Sequence, residues 1–190
     1  MTVSPTPIPT PTSPLAELAE AAARVDPSFY AHAASVLALS TKVAAALRLP
    51  DGARRTVEVA AALHDIGKLV VPAAILDKPG PLADDEWAHV RAHPAEGERL
   101  LAPHVPEDVL RIVRSHHERW DGSGYPDRLA GAEIPVGARI VAVADAYTAM
   151  IEQRPYREAR TAADATAELR RERGHQFDPA CVDAALAVLG

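Results

Sequence analysis

The run "VGARIVAVADAYTAMI", residues 136–151, constrains the fold more than any other stretch. It is almost wholly apolar, and a helix that is apolar all round has to be buried. Yet Asp145 sits in the middle of it. An ionised carboxylate taken out of water without a partner costs far more than a helix can return. No basic residue lies within a turn of Asp145, so the rest of the chain must bring a positive charge to it.

Asp65 poses the same problem. It ends the apolar run "VEVAAALHD" beside His64, with Lys68 as the nearby cation. Two carboxylates on apolar helices call for a bound cation; the competing reading is a buried aspartate that caps a neighbouring helix. A His–Asp dipeptide decides nothing by itself.

The rest of the chain reads as helical. Hydrophobic residues make up 48% and aromatics only 4%, so Ala, Leu and Val fill the core. Ala-rich apolar content favours helices. No strand alternation or internal repeat is visible, and the expected fold is all-α, in one domain. Residues 1–14, "MTVSPTPIPTPTSP", read as an extended Pro/Thr-rich tail, and residues 15–190 as the domain. "DPSFYAHAASVLALSTKVAAALRL" predicts a helix capped by Asp26 with Pro27 at its first position. "ARRTVEVAAALHDIGK" predicts a helix stopped by Gly67, and "VPAAILDKPGPL" a loop. "ADDEWAHVRAHPAEGERLLA" predicts one helix with an acidic first turn, and "PEDVLRIVRSHHERW" another. "TAADATAELRRER" and "PACVDAALAVL" complete the set.

The totals exclude several functions. A net charge of −6 argues against adsorption to polymeric nucleic acid or an anionic membrane. No apolar run reaches membrane-spanning length, and no leader of the secretory kind is visible, so a cytoplasmic location is expected. Cys181 is the only cysteine, which excludes a disulfide within the chain and a thiolate metal cage.

The histidines carry the chemistry. His116 and His117 are adjacent, and His89 and His93 are spaced four apart. Imidazoles and carboxylates without thiolate suit Mn, Fe or Zn. With His64, Asp65 and Asp145 they exceed the ligand number of one small ion, which implies two metals sharing a bridge. Spacing alone does not choose between His89 and His93.

The ordered set "H…HDIGK…H…HHERWDGSGYP…D" resembles the HD-GYP subgroup of the HD phosphohydrolase superfamily, over about residues 27 to 188. The resemblance extends to "ILDKPGPL", "RPYREA" and "FDPACVDA". It implies an α-helical fold, two divalent metal ions, most often Fe or Mn, and cyclic-di-GMP phosphodiesterase activity. Carried over by motif position, it assigns His32, His64, Asp65 and Asp145 to one metal. His93, His116 and His117 go to the other, with Asp65 bridging, and His93 is selected over His89. It gives Lys68 a phosphate oxygen. Gly124, Tyr125 and Pro126 form a loop against the substrate, and Arg154 and Arg157 hold its second phosphate or a base edge. The substrate is a cyclic dinucleotide, and regulation is expected from a protein partner, expression or the tail.

Other residues receive plainer roles. His89 and His104 read as solvated, His175 as a residue before the turn into the last helix, Trp87 and Trp120 as packing groups, and Glu118 as a contact to a ligand imidazole. Two positions depart from the family pattern. Ser35 replaces an arginine frequent three residues after the first ligand histidine. Ser28 stands where some relatives carry a glutamate for a third metal, so two metals are expected here.

Overall fold

The structure, a computed structural model, describes residues 29–153 and 159–190, with Glu20, Ala21 and Arg24 before them. The tail at 1–14, the Asp26–Pro27 cap, Ser28, Arg154 and Arg157 lie outside the described residues.

The described residues are helical and contain no strand, as the composition predicts; one isolated bridge joins Arg173 and Phe177. Helix α1 (Phe29–Ala46) packs against α2 (Asp51–Leu63) and against α7 (Val136–Ile151). Helix α7 has the bounds the apolar run predicts. Its Ile140, Val141, Val143 and Ala144 are fully buried, and each of the larger ones stabilises the fold by about 1.5–3 kcal/mol. Helix α6 (Glu107–Ser115) covers α2 and α7, while α8 (Ala162–Arg171) and α9 (Pro179–Leu189) close the far side of α7. Asp178 caps α9 through Ala180 N at 2.8 Å, and Thr161 caps α8 through Asp164 N at 3.1 Å.

Four boundaries differ from the sequence reading, and three of them shape the site. Helix α2 ends at Leu63 rather than at Gly67. The chain then makes a 3₁₀ turn, Ile66–Val70, that lies against α5 (His93–Leu101). Gly67 is needed for that approach: a Cβ there would lie 1.9 Å from the His93 carbonyl oxygen. The single helix expected over residues 83–102 is two, α4 (Asp84–Arg91) and α5, jointed at Ala92. Pro94 is the cause, because it lacks the amide that would bond to the Val90 carbonyl. Helix α6 stops at Ser115, so His116 and His117 lie just past its end. The fourth is a short helix, α3 (Ala73–Leu76), inside the stretch read as a loop. Among the described residues no helix is long and apolar enough to cross a membrane.

Candidate metal centre

Seven side chains converge where α1, α2, α5, α6 and α7 meet. Asp65, His93, His116 and His117 have ligand atoms within 4.8 Å of one another, and so do His32, His64 and Asp145. These are the seven residues the sequence analysis names for metal. The imidazoles form a continuous chain, with ring centroids 5.5 Å apart from His32 to His64, 5.2 Å from His64 to His116, and 5.0 Å from His93 to His117. His89, His104 and His175 are exposed and apart from it.

The hydrogen bonds fix which ring atoms face inward. His64 Nδ1 donates to the Ala61 carbonyl at 2.8 Å, His93 Nδ1 to Val90 at 2.7 Å, and His116 Nδ1 to Val113 at 2.6 Å. Each acceptor lies three residues back, where an ending or broken helix leaves carbonyls free. A carbonyl only accepts, so these three rings carry their hydrogen on Nδ1 and present a bare Nε2 lone pair. Those lone pairs then face other acceptors. His93 Nε2 and His116 Nε2 are 3.2 Å apart. His64 Nε2 is buried with no hydrogen-bond partner, 3.4 Å from an oxygen of Asp65 and 4.0 Å from one of Asp145. Acceptors packed against acceptors repel unless a cation lies among them. The donor set, nitrogen and oxygen without sulfur, therefore fits divalent metal.

Asp65 stands between the two groups. One carboxylate oxygen is 3.4 Å from His64 Nε2 and the other 3.2 Å from His93 Nε2. Lys68 Nζ approaches the first at 2.6 Å, one turn along the chain. Burial alone would raise the Asp65 carboxyl. The charge of Lys68 outweighs it and holds the group well below the usual carboxylate range. Asp145 is likewise held low against burial, chiefly by its hydrogen bond with His32. Burial pushes the His116 and His117 imidazoles down, and the charge of neighbouring imidazoles adds to it, bringing His117 to about 4. Both are neutral near pH 7, the form that ligates metal.

The loop after His117 is folded back on the site. Gly124 is buried under the 117–119 backbone, where a Cβ would lie 2.4 Å from Arg119 N and 2.7 Å from His117 O. That contact admits only glycine. Tyr125 then stacks on the His117 ring, 5.0 Å between centroids and 29° between planes, and joins Pro126 by a cis peptide. Glu118 does not touch an imidazole, contrary to the sequence reading. Its carboxylate accepts from Asp127 N at 2.7 Å and Leu129 N at 3.1 Å, because the returning loop offers amides where no ring nitrogen points. Arg114 grips both oxygens of Asp127 at 2.6 and 2.8 Å and reaches Glu98 at 2.6 Å.

Two further residues emerge from the structure. Glu152 lies 2.9 Å from His32 Nδ1, while Asp145 lies 3.0 Å from His32 Nε2. Asp145 and Glu152 are seven residues apart, two helical turns, and that spacing was the available signal. Arg91 sits over the Trp87 ring at 5.8 Å and within electrostatic reach of the Tyr125 hydroxyl. Trp87 is 43% exposed rather than packed inside. Trp120 is half-buried with Arg139 at 5.7 Å from its ring, in keeping with a packing role. Ser35 is exposed and its hydroxyl donates to the Ala31 carbonyl.

The HD domain family model matches residues 17–181. The chain belongs to the HD domain family. It is 48% identical over 147 residues to the cyclic di-GMP phosphodiesterase response regulator RpfG of Xanthomonas campestris, covering 76% of this chain and 39% of that protein. It is 40% identical over 151 residues to the 3'3'-cGAMP-specific phosphodiesterase 3 of Vibrio cholerae, covering 79% of this chain and 33% of that one. The fold matches Bd1817, an HDG"Y"P protein from Bdellovibrio bacteriovorus, at a TM-score of 0.70 and 22% identity over 85% of this chain and 52% of the other. The chain thus spans about two fifths of the length of the first of these relatives. With RpfG among them, the HD-GYP resemblance of "HHERWDGSGYP" holds.

Proposed function

We propose that this domain is a metal-dependent phosphodiesterase that opens cyclic-di-GMP to linear pGpG or GMP. The observation that carries the reading is the set of bare, buried Nε2 lone pairs of His64, His93 and His116 around Asp65. The phosphodiesterase relatives support the substrate class.

In this reading His32, His64 and Asp145 hold one divalent ion and His93, His116 and His117 the other, with Asp65 shared. Fe or Mn fits the nitrogen and oxygen donors, and Zn accepts the same set. When bound, such ions supply Lewis-acid charge for phosphate oxygens and acidify water enough for it to act as a nucleophile near neutral pH.

The protein's own groups do the rest. Asp65 keeps its charge because Lys68 holds it ionised. The Lys68 ammonium is held on Asp65, and its side chain is 26% exposed, which leaves it accessible to a phosphate oxygen. The Tyr125 ring, fixed on His117, forms one wall for the substrate, and Gly124 and Pro126 set its position. The Tyr125 hydroxyl is pushed up by burial and the nearby carboxylates, so it remains a hydrogen-bond donor. Arg154 and Arg157 complete the grip on the second phosphate or a base edge. A protein partner is the proposed regulator.

A second specificity is favoured by one observation: the relatives include 3'3'-cGAMP-specific phosphodiesterases. A non-catalytic receptor is disfavoured, since binding alone does not require seven convergent ligands. The test is product analysis after Mn- or Fe-loaded protein meets cyclic-di-GMP and 3'3'-cGAMP separately. Linear products from cyclic-di-GMP are expected. Faster turnover of 3'3'-cGAMP would transfer the reading to that substrate, and no product from either would overturn it.

A further inference from the structure

Three of the imidazoles in the centre are oriented by a carbonyl of their own segment, but His32 is not. It lies inside α1, where the carbonyls behind it are already used by the helix ladder. An acceptor for its Nδ1 has to come from another element. Helix α7 and the residue that caps its C-terminus supply it. Asp145 and Glu152, two turns apart on one face, bracket the ring, with Asp145 at Nε2 and Glu152 at Nδ1. Asp145 belongs to the ligand group with His32 and His64, and Glu152 does not. So Nε2 faces the metal side and Nδ1 faces away from it.

We propose that Glu152 is the positioning residue for His32 and sets how firmly the His32–His64–Asp145 half of the centre holds its ion. With the Nδ1 hydrogen given to Glu152, the Nε2 lone pair is left for metal beside Asp145. A carboxylate acceptor fixes the ring and raises its basicity more than a neutral carbonyl does. In the other half, His93 and His116 use backbone acceptors instead. Loss of Glu152 therefore weakens one ion and spares the other. The loss expected is about 10- to 100-fold in affinity, the range found when an orienting partner of a metal ligand is removed.

This inference rests on the proposed two-metal centre, and the experiment separates the two. Metal per chain is measured by elemental analysis after dialysis against a graded chelator, for the unmodified protein, Glu152→Ala and Glu152→Gln. Far-UV circular dichroism and metal-free unfolding temperature are recorded alongside. The unmodified protein is expected to hold two ions. Glu152→Ala should hold about one under the same chelator, with unchanged metal-free fold, since Glu152 is at the helix end and 29% exposed. Glu152→Gln, which still accepts the Nδ1 hydrogen bond, should recover most of the lost ion. Two ions held with unaltered affinity in Glu152→Ala would overturn the inference. So would a folded Glu152→Gln protein as deficient as the alanine variant. An unmodified protein that binds no metal would instead overturn the metal centre itself.

Discussion

The two halves of the histidine cluster treat an imidazole in opposite ways. His32 is bracketed by carboxylates. Burial would lower it, but Asp145, with Asp65 and Glu152, outweighs burial and raises it. His116 and His117 are surrounded chiefly by other imidazoles, and burial and their mutual charge lower them. His32 thus attracts a proton when metal is absent, and His116 and His117 refuse it. The chemistry of a histidine here is set by what stands behind its ring rather than by the ring itself.

Asp65 is the residue the halves share, so removing it tests the comparison at its root. Asp65→Ala should lose both ions and lower hydrolysis by about 10³-fold or more, the scale of losing a preorganised charge at the reacting phosphate. Elemental analysis and product formation give the answer. If the variant kept one ion, Asp65 would belong to one half only, and its two-sided contacts with His64 and His93 would be packing.

Acid and base should pull the halves apart in metal-free protein. His32 is raised above its ordinary value of 6.5, so the stability it adds is present below pH 6.5 and is lost as pH rises through the folded value. His117 is lowered to about 4, so its contribution is present above about pH 6.5 and is lost as pH falls toward 4. Each pH unit inside such a window changes stability by about 1.4 kcal/mol. Asp65 and Asp145 are held below the ordinary carboxylate value of 3.8, and their loss comes at still lower pH. Unfolding temperature against pH, with chelator present, should therefore peak near pH 6.5. His32→Gln should flatten the alkaline limb and leave the acid limb. His117→Gln should shrink the acid limb, with the remainder carried by His116. A profile whose alkaline limb survives His32→Gln would break the contrast.

These contrasts were only partly legible in the chain. The apolar run 136–151 gave α7 with its bounds, because a helix buried along most of its length writes that burial into its sequence. The residues that cluster at the candidate centre were legible because their motif is short and dense around His116 and His117. His93 was ambiguous against His89 by spacing alone. The structure separates them through Pro94, whose missing amide breaks the helix and frees the carbonyl that orients His93. That break was visible in "HPAEGE" and was overridden by the apolar period. Glu152 was hidden for a different reason. The Asp145–Glu152 spacing places the two carboxylates on one side of the chain, but the histidine they meet lies 120 positions away, and spacing does not name it. Glu118 was misassigned because proximity in sequence to two ligands suggested contact, whereas the loop turns its carboxylate toward the Asp127 and Leu129 amides.

The loop sharpens the comparison most finely, because it touches one half alone. Tyr125 stacks on His117, and among the described residues no ring contact joins it to His32 or His64. Its hydroxyl is pushed above its ordinary range, so it brings no anionic oxygen to a metal at working pH. Glu118 and Arg114 hold the loop from behind, through backbone amides and Asp127, without using the ring. Truncating the ring should therefore leave the loop, His117 and both ions in place. What is lost is an aromatic wall for the substrate, worth about 0.5–1.5 kcal/mol for a stacked ring beyond its area. Tyr125→Ala should raise KM up to about tenfold, with kcat changed less and metal per chain unchanged. Loss of the ion at His93, His116 and His117 in this variant would show that the ring is a prop for His117 and not a surface for substrate. Equal falls in kcat and kcat/KM, with metal retained, would move Tyr125 from binding to the transition state.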